Sequence, residues 1–476
     1  MKNPRLFLMI ILAMTITLAS CGDDDDIVVD DPISEGGDGA DDGDDDDGDD
    51  DATDFVGAVY AMTNGEGQIA GTNVQGPNVI IAYGRSEDGS LTPIGPNPTG
   101  GNGGDFDGGE GLDPLISAYA LTKTDDNEQL LAVNAGSNTI TSFNINDDFS
   151  LELVGSESTG DIGPNSIAYS ERTDAADGLK GIVYVSNITR AEFLAGGEPE
   201  QQGSVTGYWL LEDGTLSPIA GSTRNLANRP SAVQFSPDGN WLVVASINSG
   251  AAALESGSED EIVVYGVNAD GTLSANQLDG ATSTLRGNTE GRNLPSAIGF
   301  QIVGDNYVVV TEAREFQPDG MPPAFPALQD GSVSTWQIQA GGSLSPISMD
   351  VRSGEGNTGR TACWLDFTAD GNTFFVSNAI EAGLASYSFN NGVVELIDQA
   401  AAQGIGTGGA DNGPEAFANT QGWIDMWITD DGAFLYQLYG LDGTIGIYRI
   451  NGQSLEPVSE ESNNLPDTNT QGIVAI

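Results

Sequence analysis

The stretch that decides the fold runs from Pro230 to Ser246 and reads PSAVQFSPDGNWLVVAS. Val233 and Phe235 alternate with smaller or polar residues, which is typical of a strand with one buried face. The run from Trp241 to Ala245 is apolar throughout and suits a central strand covered on both faces. Between the two strands, the Asp-Gly pair at 238–239 supplies the positive φ of a tight turn. The stretch therefore predicts an antiparallel hairpin.

A second hairpin repeats along the chain, with an aromatic residue that precedes a leucine by eight residues across a turn. The aromatic residues of the five copies that keep this spacing are Tyr83, Phe143, Tyr208, Tyr265 and Trp336. Two looser copies contain Tyr387 and Tyr448. Such constancy predicts seven repeated units.

The first strand of the opening hairpin also recurs. Its six copies are PLISAYA (114–120), PNSIAYS (164–170), PSAVQFS (230–236), PSAIGFQ (295–301), ACWLDFT (362–368) and GWIDMWI (422–428). Residues 471–476 fit the same pattern but have nothing after them, whereas residues 55–63 look like a second strand that lacks a first. Pairing these two segments closes a ring and removes an open sheet edge.

Seven four-stranded units with a period of roughly 50 to 70 residues indicate an all-β fold, a seven-bladed β-propeller over residues 55–476. The C-terminal strand closes it by pairing with the N-terminal strands. A parallel β-helix would need much shorter repeats, and an array of β-sandwiches would not share one unit between the two termini.

Loop lengths distinguish two faces of this propeller. Turns between first and second strands, and between third and fourth strands, are mostly tight, which predicts a closed, inert face. Long insertions fall between second and third strands and between blades, as at 190–203, 248–261, 313–331 and 400–421. Because variable loops on a rigid scaffold usually carry function, we expect a site on that second face.

The chain is strongly acidic, with 15 Lys and Arg against 71 Asp and Glu and a formal net charge of −56. This charge disfavours nucleic acid and anionic membrane surfaces as partners. Residues 21–54 are rich in Asp and Gly, and we expect a disordered, solvated tether there. The chain has no histidine, so a Cys-His nucleophile is excluded and the apolar setting of Cys363 favours a buried structural role.

Residues 1–20 carry Lys2 and Arg5 followed by a short apolar run, the pattern of an export signal. Leu18-Ala19-Ser20-Cys21 resembles the bacterial lipobox, which implies lipidation of Cys21 after cleavage. The acidic run directly behind it is similar to the export signal of lipoproteins carried to the cell surface. We expect a lipid-anchored, surface-exposed outer-membrane protein that is a monomer.

The repeats of residues 55–476 resemble those of the seven-bladed propeller lactonases, the family of bacterial 6-phosphogluconolactonase and fungal carboxymuconate-lactonizing enzyme. LLAVNAGSNTITSFNI (130–145), the DGTL and DGSL turns and PSAVQFSPDG carry the likeness. Glu312 matches the family glutamate, and Arg360 is aligned with an arginine that holds substrate anions. Ser296 and Ala297 stand where the family has Arg-His, so the resemblance implies a lactonase fold without its complete catalytic set.

Two further groups are candidate binding residues. Arg229, Arg292 and Arg314 lie near strand ends at the loop-rich face, where a ring of guanidinium groups would fit a small anionic ligand. Asp105, Asp107, Glu110 and Asp113 place oxygen ligands at short spacings, as a Ca²⁺ site requires. The alternative for the arginines is that they are scattered charges that neutralise an acidic surface. The alternative for the acidic residues is that they belong to a glycine-rich loop that binds no ion.

These observations leave three functions open. The first is a surface-anchored binding module for a small anionic ligand or a partner protein. The second is a lactone hydrolase or cycloisomerase that acts through Glu312 and Arg360, for which a salt bridge at the rim is the alternative interpretation. The third is a structural role in the envelope.

Overall fold

The structure is a computed structural model and describes residues 55–65, 67, 72–106, 113–172, 178–192, 202–247, 261–274, 282–284, 296–313, 315–316, 328–329, 331–354, 361–379, 383–403 and 422–476. Residues 54–476 form one compact unit. The predicted signal, Cys21 and the tether lie outside the described residues. Within them, no helix is long and apolar enough to cross a membrane.

The unit is a seven-bladed β-propeller, which confirms the prediction. The blades are numbered in chain order, and the strands of each blade from the innermost outward. Blade 1 takes its innermost strand from the chain's end and is built of Ile473–Ala475, Gly57–Met62, Val74–Arg85 and Leu91–Gly104. Val59 is paired with Ala475, and Tyr60 with Val474. The ring therefore closes as the two incomplete segments of the sequence predict.

The other six blades are antiparallel sheets of consecutive strands. Blades 2 to 4 comprise Leu121–Lys123, Gln129–Asn134, Thr139–Ile145 and Leu151–Ser158; then Ile162–Glu171, Leu179–Thr189, Ser204–Leu211 and Leu216–Pro218; then Arg229–Phe235, Trp241–Ile247, Glu261–Gly266 and Thr282–Thr284. Blades 5 to 7 comprise Ser296–Val303, Tyr307–Ala313, Ser332–Ile338 and Leu344–Pro346; then Ala362–Phe367, Thr373–Asn378, Gly383–Asn390 and Val393–Gln403; then Trp423–Ile428, Phe434–Tyr439, Thr444–Asn451 and Ser454–Glu461.

Four short strands complete the sheets. Arg224–Asn225 and Val351–Arg352 pair with the third strands of blades 3 and 5, and Glu315–Phe316 pairs with Leu328–Gln329 in the insertion of blade 5.

The repeated aromatic residues lie on the third strands, one in each blade, and all are buried. The hydroxyls of Tyr83 and Tyr208 reach the preceding blade. The Tyr83 hydroxyl donates to the carbonyl of Asn463, and the Tyr208 hydroxyl donates to the carbonyl of Ser158. In blades 1 and 3 the repeated aromatic residue therefore joins its blade to the preceding one.

Polar side chains link neighbouring blades around the channel. The bonds of this ring run from Ser117 to Asn165, Asn165 to Pro230, Ser231 to Ala297, Thr311 to Cys363, Ser377 to Trp423, Gly472 to Asp425 and Gln471 to Ser117, donor first. Most of them bond the irregular backbone where the first strands bulge, as at 230–232 and 362–364. The bulges expose backbone groups that the sheet cannot satisfy, so buried hydroxyls and amides take their place.

One predicted first strand is wrong. In PLISAYA, residues 114–120 form turns and bends, and the first strand of blade 2 begins directly after it at Leu121. Leu121–Lys123 then pairs with 130–132 in the expected antiparallel register.

Candidate functional site

Glu312 lies near the end of the second strand of blade 5, on the face that carries the long loops. It is paired with Ala297 on the first strand and with Ser332 on the third. Its side chain is fully buried, and the Ser332 hydroxyl donates a hydrogen bond to its Oε2. Arg360, the second candidate catalytic residue, lies outside the described residues. The carboxylate therefore has its predicted place in the fold, and catalysis by this pair stays a prediction.

Arg229 begins the first strand of blade 4 and is 2% exposed. Its Nη2 donates to the carbonyl of Leu115 at 3.0 Å, and its Nη1 donates to the carbonyl of Phe106 at 3.4 Å. The guanidinium thus holds the connection between blades 1 and 2. Its predicted partners Arg292 and Arg314 lie outside the described residues, so a ligand site formed by the three arginines stays a prediction.

The segment 113–120, which we call the channel segment, lies inside the ring of first strands. Its backbone and side chains bond to the first strands of five blades, blades 3 to 7, and one backbone carbonyl accepts from the closing segment of blade 1. Trp364 Nε1 donates to the carbonyl of Ser117 at 2.9 Å, and the backbone N–H of Ala118 donates to the carbonyl of Ser231 at 3.0 Å. The Tyr119 hydroxyl donates to the carbonyl of Phe300 at 2.9 Å. The chain itself therefore occupies the channel at this level.

The channel segment has an unusual backbone. Ile116 has a φ of 48° and Tyr119 a φ of 64°, in a left-handed region that side chains other than Gly, Asn and Asp adopt at a cost. The surrounding hydrogen bonds keep this conformation in place. Asp113 at its start accepts from the backbone N–H of Ser117 and from the Gln471 amide, which fastens the segment to the closing strand.

Two carboxyl groups face the channel segment from blades 6 and 7. Burial, and then the nearby charge of Asp113, raises the pKa of Asp425 to about 8, although the N–H groups of Gly472 and Tyr119 oppose the shift. Burial raises the pKa of Asp366 to about 6, against hydrogen bonds from the Gln301 amide and backbone N–H groups. The Tyr119 hydroxyl, which burial and these two carboxylates keep protonated, has a strongly raised pKa.

These channel groups are missing from the candidates that the sequence suggests. The available signal is an aspartate within each of two otherwise apolar first strands, ACWLDFT and GWIDMWI. An acid in such a strand must be desolvated, paired or neutral. Asp425 bonds to the channel segment through the N–H of Tyr119, whereas Asp366 accepts from Gln301 and Ile428 and so joins blades 5, 6 and 7. Both carboxyls are engaged within the fold and are poorly placed to meet a ligand.

Two of the four predicted calcium ligands are described. Asp105 is buried and accepts from the Gln75 amide at 3.2 Å, and Asp113 accepts from Gln471 at 2.7 Å. Asp107 and Glu110 lie outside the described residues. Among the residues that the structure describes, no cluster of three or more acidic or thiol side chains could hold a metal ion. The calcium site stays a prediction.

No protein-family model matches the chain, and no curated protein matches it. Among solved structures, it is similar to the periplasmic gluconolactonase of Pseudomonas aeruginosa, with a TM-score of 0.55 and 15% identity over 88% of this chain and 99% of the other. A hypothetical selenium-binding protein from Sulfolobus tokodaii has a TM-score of 0.55 at 12% identity, over 88% and 93% of the two chains. A candidate 6-phosphogluconolactonase from Bacteroides fragilis has a TM-score of 0.49 at 16% identity, over 89% and 99%. At such identities the likeness shows the fold alone, which is that of a seven-bladed β-propeller.

Proposed function

We propose that the protein is a lactonase-like propeller that works as a binding module rather than as a hydrolase. The observation that carries this proposal is the channel segment, because the concave centre where a propeller would take a small substrate is filled by the chain's own residues 113–120. Binding is then left to the long loops around it.

The setting of Glu312 supports the same conclusion. A general base must lie within hydrogen-bond reach of the water that attacks a lactone carbonyl. Glu312 is fully buried, and its Oε2 accepts from Ser332. The chain has no histidine that could take the role of acid or base. The carboxylate is better suited to joining the second and third strands of blade 5 than to activating water.

The ligand class that we propose is a small anion or an acidic group of a partner, bound at the loop-rich face by Arg292, Arg314 and Arg360. Arg229 is buried beneath this face and stabilises it through hydrogen bonds to the connection between blades 1 and 2. In so acidic a chain, a local group of arginines is the part of the surface where an anion would be least repelled.

A panel of sugar lactones and small organic anions, offered to the full-length protein, tests the proposal. We expect thermal stabilisation by an anion and no lactone opening above the uncatalysed rate. Glu312→Gln should leave both results unchanged. Glu261→Gln, which alters a half-buried carboxyl that accepts from Asn228, is the matched control.

The second candidate function, a lactone hydrolase, is favoured by the shared fold and by the place of Glu312 on its strand. It would require hydrolysis that Glu312→Gln abolishes and Glu261→Gln preserves, with both variants as stable as the wild type. That result would overturn the binding-module proposal.

We also propose that Cys21 carries a lipid and displays the propeller at the cell surface on the acidic segment 21–54. Cys21→Ala should move the protein from the membrane fraction to the soluble fraction. In cells with the native residue, added protease should remove the propeller without lysis. Membrane retention of the variant, or protection from protease, would contradict the anchor or the surface location respectively.

A further inference from the structure

The opposite face, which carries the tight turns, has a groove of about 640 Å³ between blades 4 and 5. Its sides are the first turns of both blades and the turns between their third and fourth strands. Side chains that line it include Asp238, Asn240, Trp241, Asn268, Asn306 and Gln339. Tight turns alone would predict a surface without a groove.

At the interfaces between blades 7 and 1 and between blades 5 and 6, a turn glycine of the following blade packs against the preceding blade. A Cβ at Gly89 would lie 2.2 Å from the ring of Phe434, and one at Gly392 would lie 2.4 Å from Ile347 and 3.0 Å from the ring of Tyr307. In the turn between the third and fourth strands of blade 5, Gly341 lines the groove, and a Cβ there would meet no atom within 4 Å. The groove therefore has free space beside this turn.

Trp241 forms an aromatic wall of this groove. It begins the second strand of blade 4, is half-buried, and is paired across the strands with Gly266, which has no side chain to cover it. Within the part of the chain that the structure describes, the indole N–H donates to no protein group. A large aromatic surface with an available donor is thus presented to the groove.

The polar groups around the indole are held by their own turns. The Asn306 amide reaches Asp238 at 3.4 Å, the N–H of Val267 donates to the carbonyl of Asn240 at 2.9 Å, and the Asn268 amide donates to Thr272 at 3.0 Å. The Asp238 carboxylate also accepts from the Ser236 hydroxyl and from the N–H of Asn240, so the turns that carry these polar groups are ordered. A ligand would find them already ordered, which lowers the entropic cost of binding.

The charge of the lining restricts the ligand. It contains one carboxylate, Asp238, four side-chain amides and no lysine or arginine. An anion would meet no positive charge here and would be repelled by a chain of net charge −56. The groups that remain suit a neutral, hydroxyl-rich molecule with one apolar face.

We propose that this groove is a binding site for a neutral carbohydrate, separate from the loop-rich face. The C–H face of a pyranose ring stacks on the Trp241 indole, and its hydroxyl groups bond to Asp238, Asn240, Asn268, Asn306 and Gln339. A groove of this size holds one or two sugar rings, with the remainder of a glycan in solvent.

Gly341→Gln tests the site with little risk to folding, because its backbone is not left-handed and its Cβ would enter open space. The long side chain would fill the groove. Gly155→Gln is the matched control, since Gly155 lies on the outer strand of blade 2 and its Cβ would also meet nothing within 4 Å. Glucose, cellobiose and maltose, with gluconate as the anionic comparison, are titrated into the full-length protein by calorimetry.

We expect at least one neutral sugar to bind to the wild type and to the Gly155→Gln variant, with at least a tenfold loss of affinity in Gly341→Gln. Asn268→Ala, an exposed change, should weaken the same sugar without lowering the melting temperature. Absence of binding by all neutral sugars, equal affinity in Gly341→Gln, or a preference for gluconate would overturn the proposal.

Discussion

Asp425 makes the stability of the propeller depend on pH in a direction opposite to that of most carboxyl groups. Its pKa in the folded protein is raised to about 8, chiefly by burial, from the ordinary aspartate value of 3.8. A group with a raised folded pKa contributes stability that is complete below the unfolded pKa and is lost as the pH rises through the folded pKa. Between pH 4 and pH 7 the unfolded chain releases this proton and the folded protein keeps it, which lowers the free energy of unfolding by about 4 kcal/mol.

Asp425→Asn removes this titration and keeps the structure. The amide oxygen can still accept from the N–H of Gly472, which bonds Oδ2 at 2.7 Å in the native protein. We expect the variant to be close to the wild type in stability at pH 4 and more stable by about 4 kcal/mol at pH 7. Urea unfolding followed by tryptophan fluorescence at pH 4, 5.5, 7 and 8.5 measures the difference in free energy of unfolding between variant and wild type. The contributions of the other carboxyl groups cancel in this difference.

The control is Asp270→Asn in an exposed turn. Hydrogen bonds from the Thr272 hydroxyl and N–H lower the pKa of Asp270. Its stabilising effect is present above the usual aspartate range and is lost as the pH falls through its folded pKa. This variant should lose stability at neutral pH and approach the wild type in acid. A stability difference for Asp425→Asn that does not change with pH would refute the reasoning.

Three further predictions, one of them with a control substitution, test the packing around the channel and the turns. Gly89→Ala places a methyl group against the buried ring of Phe434 at a φ of 93° and should destabilise the fold by about 2 to 4 kcal/mol. The control Gly452→Ala, at a φ of 63° with nothing within 4 Å, should cost only about 1 kcal/mol. Equal losses of melting temperature in the two variants would contradict the steric explanation. Arg229→Met leaves two backbone carbonyls without their donor and should destabilise the fold by about 2 to 4 kcal/mol. Amide hydrogen exchange in residues 113–120 should become faster. Unchanged exchange in these residues would mean that the arginine does not hold the channel segment. Tyr119→Phe removes the bond to the carbonyl of Phe300 and should cost about 1 kcal/mol in thermal unfolding; no loss would show that water replaces it.

Much of the fold could be predicted because a propeller repeats. Each blade carries its aromatic residue, its turn and its leucine at a nearly constant spacing, and local hairpins depend on local sequence. The shared blade could be predicted for the same reason, since a first strand without a second and a second strand without a first are both visible in the chain. The pairing of Gly57–Met62 with Ile473–Ala475 agrees with that count.

The channel segment could not be predicted in this way. Its PLISAYA pattern matches a first strand as well as PNSIAYS does, but its place depends on bonds to residues far away in the chain. Tyr119 bonds to a carbonyl 181 residues distant, and Trp364 to one 247 residues distant. No local pattern contains such partners.

The candidate sites divide along the same line. From the sequence alone came the seven blades, the closure of the ring and the place of Glu312 on its strand, because these follow from spacing along the chain. Only the tertiary structure decided that Arg229 is buried on backbone carbonyls, that Asp425 keeps its proton near neutral pH, and that Trp241 faces an open groove. The burial of a residue, the electric field at it and the free volume around it are set by neighbours from other blades. The linear sequence does not say which of these neighbours meet or how closely they pack.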